Sequence, residues 1–88
     1  MKVRYSRRAI SDLKSIADYL SGQSPAAAVA VGSAIADTVK LVSVFPASGR
    51  VVEQRPSVRV IPLGRYPYLI FYTLEANEVA ILHNRHGA

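Results

Sequence analysis

Residues 59–72 constrain the fold more than any other stretch, because they carry two apolar runs separated by a turn signal at Gly64. Both runs are short and rich in β-branched and aromatic residues, which is typical of neighbouring strands. The polar residues 75–78 then predict a tight turn, with Asn77 in a left-handed conformation. A third apolar run follows this turn. The second half of the chain therefore predicts a three-stranded antiparallel meander over residues 58–63, 68–74 and 79–83.

The chain begins with a pattern that predicts one short strand and one helix. Residues 2–5 alternate polar and apolar side chains, which favours a strand at a sheet edge. Over residues 7–21, apolar side chains recur every three or four positions, which indicates an amphipathic helix. We expect Ser6 to cap its start and Gly22, with positive φ, to cap its end.

A second helix is predicted from Ser24 as N-cap and Pro25 at the first helical position, and it extends to about Val44. Pro46 cannot continue the helix. Residues 51–57 follow no strand or helix period, so they predict a loop or a frayed strand. The residues of the second helix that we expect to be buried are Ala28, Val31, Ile35, Thr38, Val42 and Phe45.

This order of elements predicts an α+β fold of two layers, in which a helical hairpin covers one face of the sheet. The 88 residues leave room for one domain, residues 1–88. The absence of cysteine excludes disulfides and thiolate chemistry. No apolar run approaches the roughly 18 residues of a membrane span, and the N-terminus lacks a signal-peptide pattern. We therefore expect a cytoplasmic protein.

The sequence contains no phosphate-binding loop, nucleophile elbow or metal-binding His pair, and its six acidic residues form no close pair on the strands. We expect no metal and no cofactor. The densest polar cluster is His83, Arg85 and His86. In one interpretation His86 moves a proton and Arg85 stabilises a phosphate. In the other, His83 faces solvent or a hydrogen bond and the last residues are a basic tail.

The net charge of +5 indicates an acidic partner, which includes nucleic acid or an acidic protein. Most arginines lie in the strand half, where they can bind phosphates while tyrosines stack on bases. We expect Tyr66 and Tyr68 to be exposed and Tyr72 to lie in the core. The alternative is a solvated sheet edge with all three tyrosines packed under the helices. The arginines concerned are Arg50, Arg55, Arg59, Arg65 and Arg85.

Taken in order, these motifs resemble the ParE/RelE superfamily of bacterial toxins from type II toxin–antitoxin modules, and within it the ParE branch. The resemblance covers nearly all of the chain. Its motifs are Ala9-x-x-Asp12-Leu13-x-x-Ile16-x-x-Tyr19-Leu20, Phe45-Pro46-x-x-Gly49-Arg50, Leu63-Gly64-Arg65-Tyr66-x-Tyr68-x-Ile70-x-Tyr72 and Val79-x-Ile81-Leu82-x-x-Arg85-His86-Gly87.

The resemblance implies a toxin that a cognate antitoxin holds inactive in a hetero-oligomer. ParE-type members poison DNA gyrase, whereas RelE-type members cleave mRNA on the ribosome. Leu69 and Ile70 stand where a cleaving member would place a basic residue, which favours the gyrase poison without enzymatic activity. The alternatives are a ribosome-dependent endonuclease and a non-toxic relative that only binds an antitoxin.

Three sets of site residues follow from this resemblance. The target-binding set is Arg59, Arg65, Tyr66, Tyr68, Arg85 and His86. In the endonuclease alternative, the catalytic set is Arg59, Arg65, Arg85 and His86. The antitoxin-binding set is Ile10, Leu13, Ile16, Val31, Ile35 and Arg50.

Overall fold

The computed structural model describes residues 1–87, which form five strands, two long helices and a short 3-10 helix at Pro46–Ser48. One strand and both helices come first, and four strands follow. The predicted α+β architecture is confirmed, with one strand more than expected. The elements are β1 (Lys2–Tyr5), α1 (Arg7–Gln23), α2 (Pro25–Val44), β2 (Arg50–Val52), β3 (Arg55–Pro62), β4 (Tyr68–Glu75) and β5 (Glu78–His86).

The five strands form one sheet in the order β1-β5-β4-β3-β2. The four C-terminal strands are a meander of antiparallel neighbours, while β1 runs parallel to β5 and forms an edge, as predicted. Side chains alternate between the two faces of a strand, and residues paired across strands share a face. Tyr68, Ile70 and Tyr72 therefore face the helices, and Phe71 lies on the opposite, open face.

Of the two alternatives predicted for residues 51–57, a loop or a frayed strand, the loop is wrong, because two strands occupy most of this segment. On β2, Arg50 pairs with Val60 and Val51 pairs with Arg59, before the register shifts at Val52. Polar and apolar residues do not alternate in β2, which is short and lies at the sheet edge. Its backbone conformation is decided by pairing with the neighbouring central strand. Pro56 is tolerated in β3 because its missing N–H is harmless at the end of a strand.

Both predicted helix starts are confirmed. The hydroxyl oxygen of Ser6 accepts a hydrogen bond of 2.9 Å from the Ala9 N–H, and that of Ser24 accepts one of 3.3 Å from the Ala27 N–H. Pro25 occupies the first turn of α2. Ser6 also donates a backbone hydrogen bond of 2.9 Å to the Ile81 carbonyl of β5, so the start of α1 is fixed to the sheet.

Two predictions about the backbone at turns are wrong. Gly22 does not have positive φ but lies inside α1, and the helix ends at the extended Ser24, whose N–H donates to the Leu20 carbonyl at 2.7 Å. A single serine thus ends one helix and starts the next. In the β4–β5 turn, Ala76 rather than Asn77 adopts the left-handed conformation, with φ of 50°.

The core lies between the helices and the helix-facing side of the sheet. On α2 the predicted stripe is confirmed at Val31 and Val42, and Val39 is buried as well. Phe45 is wrong, because it follows the last turn of α2 and is 62% exposed. The largest fully buried side chains are Tyr72, Leu63, Ile70, Ile81, Val42 and Val79.

The expectation that no segment reaches the length of a membrane span is also wrong. The helix Pro25–Val44 is long and apolar enough, by length and composition alone, and 17% of its apolar window is buried. Core helices of soluble proteins meet the same criterion. In this fold, α2 packs one side against α1 and the sheet and leaves the other side open.

Candidate functional site

The open face of the sheet carries a polar cleft of about 370 Å³, which we call the sheet cleft. Cross-strand pairing aligns Arg50, Val60, Phe71 and His83 in one row across four strands. Arg85 lies two residues from His83 on the same side of β5. The residues that line the cleft are Arg50, Val52, Glu53, Gln54, Val60, Leu69, Phe71 and Arg85.

Aromatic contacts hold the side of the sheet cleft near β5. The rings of Phe71 and His83 stack with centroids 4.2 Å apart and planes 9° from parallel. The guanidinium carbon of Arg85 lies 5.2 Å from the Phe71 centroid, within the range of a cation–π contact. Within residues 1–87, Arg50 and Arg85 make no ion pair. The cleft therefore offers two exposed cations to an anionic partner.

The surroundings of His83 favour the neutral form of its imidazole. Burial lowers the pKa of His83, and the charges of Arg8, Arg55 and Arg85 lower it further, while Asp12 acts in the opposite direction. The Nδ1 atom is buried without a hydrogen-bond partner in the described part of the chain. These features make His83 a packed aromatic platform beside the arginines rather than an additional positive charge.

Two acidic residues near this face are already neutralised. Arg4 on β1 forms ion pairs of 2.8 Å with both Glu75 and Glu78, which flank the β4–β5 turn. Hydrogen bonding to Glu78 and then to Glu75 raises the pKa of Arg4. Neither glutamate lines the sheet cleft, where Glu53 is the one acidic residue among the lining side chains.

The opposite side of the molecule carries two apolar grooves. The first, which we call the interhelical groove, lies between the helices and has a volume of about 340 Å³. The second, which we call the tyrosine groove, lies between the helices and the start of β4 and has a volume of about 560 Å³. Ile16, Leu20 and Val31 line both, so the grooves are continuous. The other residues of the tyrosine groove are Ser15, Tyr19, Ala27, Tyr66, Pro67, Tyr68 and His86.

Four of the residues predicted to bind an antitoxin lie together. Leu13, Ile16, Val31 and Ile35 all line the interhelical groove. The other two lie elsewhere. Ile10 is 58% exposed on α1 outside both grooves, and Arg50 is on the sheet cleft at the other side of the sheet.

The residues predicted to bind a target are dispersed over three places. Arg85 lies in the sheet cleft, whereas Tyr66, Tyr68 and His86 line the tyrosine groove. Arg65 is exposed beside Tyr66, 5.4 Å from its ring. The predicted exposure of Tyr68 is wrong, because its pairing with His86 turns the ring towards the helices, where it is buried.

The side chain of Arg59 is hydrogen-bonded within the molecule. Its guanidinium donates a hydrogen bond of 2.7 Å to the Gly49 carbonyl, on the helix-facing side of β3. Arg85 and His86 are neighbours on one strand and point to opposite faces. The structure therefore does not bring Arg59, Arg85 and His86 together in one catalytic site.

The sequence interpretation missed Phe71 as part of a site, and it placed Arg50 in the antitoxin-binding set, whose other members lie outside the sheet cleft. The signal that would have found them is cross-strand register, since these residues are far apart in sequence but share one row of the sheet. Among residues 1–87, no three His, Asp or Glu side chains lie close enough to hold a metal ion.

Comparisons with known proteins agree with this fold. A family model for the ParE toxin of type II toxin–antitoxin systems, parDE, matches residues 3–88. Among solved structures, the chain is similar to one from the chromosomal ParDE toxin–antitoxin system of P. aeruginosa. The TM-score is 0.86 and the identity 26%, and the match covers 100% of this chain and 97% of that chain. No curated protein matches significantly. The resemblance predicted from the motifs is confirmed, and the chain belongs to the ParE toxin family of type II toxin–antitoxin systems.

Proposed function

We propose that this protein is a cytoplasmic toxin that poisons DNA gyrase and is neutralised by a cognate antitoxin. The observation that carries the proposal is the match of nearly the whole chain to the ParE toxin family. Toxin action on a large enzyme requires an exposed recognition surface, and the sheet cleft supplies one. Its free guanidinium groups fit an acidic or phosphate-bearing surface of the target.

The antitoxin is assigned to the two apolar grooves. Together they form a continuous apolar surface across the helical hairpin, lined mainly by aliphatic and aromatic side chains. An amphipathic segment that buries its apolar side there gains stability from the area removed from water. The grooves lie on the helix side of the sheet and the cleft on the open side, so the antitoxin blocks the cleft only if its chain continues around the sheet edge.

The arrangement of side chains favours a gyrase poison over a ribosome-dependent endonuclease. General acid–base catalysis needs a proton-transferring group within hydrogen-bond reach of the reacting atoms, close to the group that stabilises charge. His86 faces the tyrosine groove, away from Arg85. His83 lies on the same face of β5 as Arg85, but its ring is stacked on Phe71 and its Nδ1 atom is buried.

Growth assays test the assignment of the sheet cleft. Expression of the wild-type chain without antitoxin is expected to stop growth, and coexpression of the antitoxin to restore it. The charge reversal Arg50→Glu/Arg85→Glu is expected to abolish toxicity, whereas the matched reversal Arg7→Glu/Lys14→Glu on the exposed side of α1 is not. Full toxicity of the cleft variant would reject the cleft, and no toxicity of the wild type would identify a non-toxic relative.

Binding assays test the grooves with two isoleucines of the same helix. Ile16→Asp places a charge in both grooves and is expected to weaken antitoxin binding at least about 100-fold, because a buried unpaired carboxylate costs several kcal/mol. Ile10→Asp, outside the grooves, is expected to bind normally. Equal affinities of the Ile16 variant and the wild type would contradict the assignment.

A further inference from the structure

The sheet cleft has an apolar floor between two unpaired cations. Val60, Leu69 and Phe71 form the floor, on the central strands β3 and β4. Arg50 lies on the edge strand β2 and Arg85 on β5, so the two arginines stand on opposite sides of this floor. Both are exposed, and neither makes an ion pair within the described residues 1–87. The cleft therefore presents positive charge, apolar surface and positive charge in succession.

The sheet geometry sets the distance between the two cations. The guanidinium carbon of Arg85 lies 5.2 Å from the Phe71 ring centroid, so Arg85 leans over the floor towards β4. Two strand spacings separate β4 from β2, which carries Arg50, and this amounts to about 10 Å. Successive phosphates of one nucleic-acid strand advance about 3.4 Å, so phosphates a few nucleotides apart can reach both arginines.

We propose that the sheet cleft binds single-stranded DNA, with phosphates at Arg50 and Arg85 and the face of a base on the apolar floor. The role of this contact rests on the proposed function, because it names the DNA held by gyrase, rather than the gyrase protein, as what the cleft contacts. Arginine suits such a site, since its planar guanidinium donates two parallel hydrogen bonds to one phosphate. The alternation of phosphates and flat bases along a strand matches the alternation of cation and apolar surface.

The backbone of the floor favours nucleic acid over an acidic peptide. β4 is paired with β3 and β5, and β3 is paired with β2 and β4, so the backbone groups of the floor are used within the sheet. An extended peptide gains main-chain hydrogen bonds at a free sheet edge, and the floor offers none. Glu53 also lines the cleft, and its carboxylate accepts hydrogen bonds from the amino groups of bases, which acidic side chains lack.

The size of the cleft favours a single strand over a duplex. Its volume of about 370 Å³ is near the lower end of the range for small-ligand sites, so it takes one or two units of a polymer. In a duplex the faces of the bases are stacked inside, and a protein reaches the phosphates and the base edges in the grooves. The apolar floor gains nothing from a duplex, whereas an unpaired strand can turn a base onto it.

Fluorescence anisotropy of a labelled oligo-dT strand with the wild-type chain tests the proposal without gyrase or antitoxin. Two phosphate contacts predict a slope of about −1.4 when the logarithm of the binding constant is plotted against the logarithm of the salt concentration. Arg50→Gln/Arg85→Gln is expected to weaken binding at least about tenfold and to bring this slope close to zero. Arg7→Gln/Lys14→Gln removes the same charge outside the cleft and is expected to weaken binding less than about threefold, because distant charges are screened. Circular dichroism verifies that each variant is folded.

Three further probes separate bases from phosphates and DNA from other polymers. An abasic strand of the same length keeps the phosphates and is expected to bind at least about fivefold more weakly than oligo-dT, with the same salt slope. Polyglutamate of the same charge is expected not to displace oligo-dT at equal concentration. An oligo-U strand is expected to bind no more tightly than oligo-dT.

Several outcomes overturn the proposal. They are a folded wild type that does not bind oligo-dT at low salt, equal losses for the two double variants, equal affinity for the abasic strand, and displacement by polyglutamate. A strong preference for oligo-U would assign the cleft to RNA instead.

The gyrase supercoiling assay keeps this inference separate from the proposed function. If the wild type inhibits gyrase and Arg50→Gln/Arg85→Gln does not, yet oligo-dT is not bound, the cleft contacts the gyrase protein and the DNA site alone is rejected. If oligo-dT binds as expected but supercoiling stays normal, the proposed function is rejected and the DNA site remains.

Discussion

Replacing Tyr72 by phenylalanine is expected to destabilise the protein strongly, because the hydroxyl holds the segment between α2 and β2. The ring is completely buried. Its hydroxyl donates a hydrogen bond of 2.7 Å to the Pro46 carbonyl and accepts one of 2.8 Å from the Gly49 N–H. Gly49 in turn precedes β2, which carries Arg50 into the sheet cleft.

The magnitude follows from the two groups that lose their partner. A buried donor or acceptor left unsatisfied costs about 1–3 kcal/mol. The Gly49 N–H is buried and bears the full cost, whereas the Pro46 carbonyl is partly exposed and regains some hydration from water. We expect Tyr72→Phe to lower the free energy of unfolding by about 2–3 kcal/mol. For a domain of this size, the melting temperature then falls by about 10–20 °C.

Urea unfolding followed by circular dichroism measures this change. The matched control is Tyr66→Phe. The Tyr66 hydroxyl accepts a long hydrogen bond of 3.5 Å from the exposed Arg65 guanidinium, so its removal is expected to change the free energy of unfolding by less than about 0.5 kcal/mol. A loss of less than about 0.5 kcal/mol for Tyr72→Phe as well would refute the argument. It would mean that the turn keeps its conformation without the tyrosine.

Three further predictions concern stability. Because the pKa of His83 is lowered from 6.5 in the folded protein, the unfolded chain binds more protons than the folded chain between pH 6.5 and that lowered pKa. The free energy of unfolding is therefore expected to fall as the pH decreases from about 6.5. His83→Gln is expected to reduce this pH dependence in urea titrations. Asp12→Ala removes the acceptor 2.9 Å from the Asn84 N–H and is expected to cost about 1–2 kcal/mol in urea unfolding, while Asp12→Asn, which keeps an acceptor oxygen, costs less. Gly49→Ala places a Cβ 2.6 Å from the Tyr72 hydroxyl oxygen and is expected to lower the melting temperature. An unchanged melting temperature would contradict this last argument. The other two would be contradicted by a wild-type pH dependence in His83→Gln and by equal losses of stability for Asp12→Ala and Asp12→Asn.

The sequence was sufficient for elements whose signal is local. Ser6 and Ser24 are capping residues whose side chains act within one turn, and both act as predicted. The periodicity of α1 and the turn before β5 are local patterns as well. The antiparallel meander follows because short turns join consecutive strands.

Most of what failed depends on contacts between distant residues. β2 forms because Arg50 and Val51 pair with β3, and the residues of β2 show no local pattern that predicts this pairing. The direction of Tyr68 is set by its register with β5, although its neighbour Pro67 suggested an exposed loop. The end of α1 is an exception, because the contact that carries the helix past Gly22 is local: the Ser24 N–H donates to the Leu20 carbonyl.

The candidate site was predicted only in part for the same reason. Composition indicated that arginines of the strand half form a basic surface, and Arg85 and Arg50 do share one cleft. Arg59 has the same residue type but points to the other face, where the Gly49 carbonyl accepts its hydrogen bond. Which arginines share a surface is decided by register, and register requires the missing strand β2.

Inhibition of purified DNA gyrase is the measurement that tests the central proposal most directly. A supercoiling assay with the wild-type protein is expected to show loss of supercoiling and accumulation of cleaved gyrase–DNA complex, both reversed by the cognate antitoxin. Arg50→Glu/Arg85→Glu is expected to leave gyrase active, and Arg7→Glu/Lys14→Glu to inhibit it like the wild type. Normal supercoiling at a large excess of folded wild-type protein would contradict the proposal.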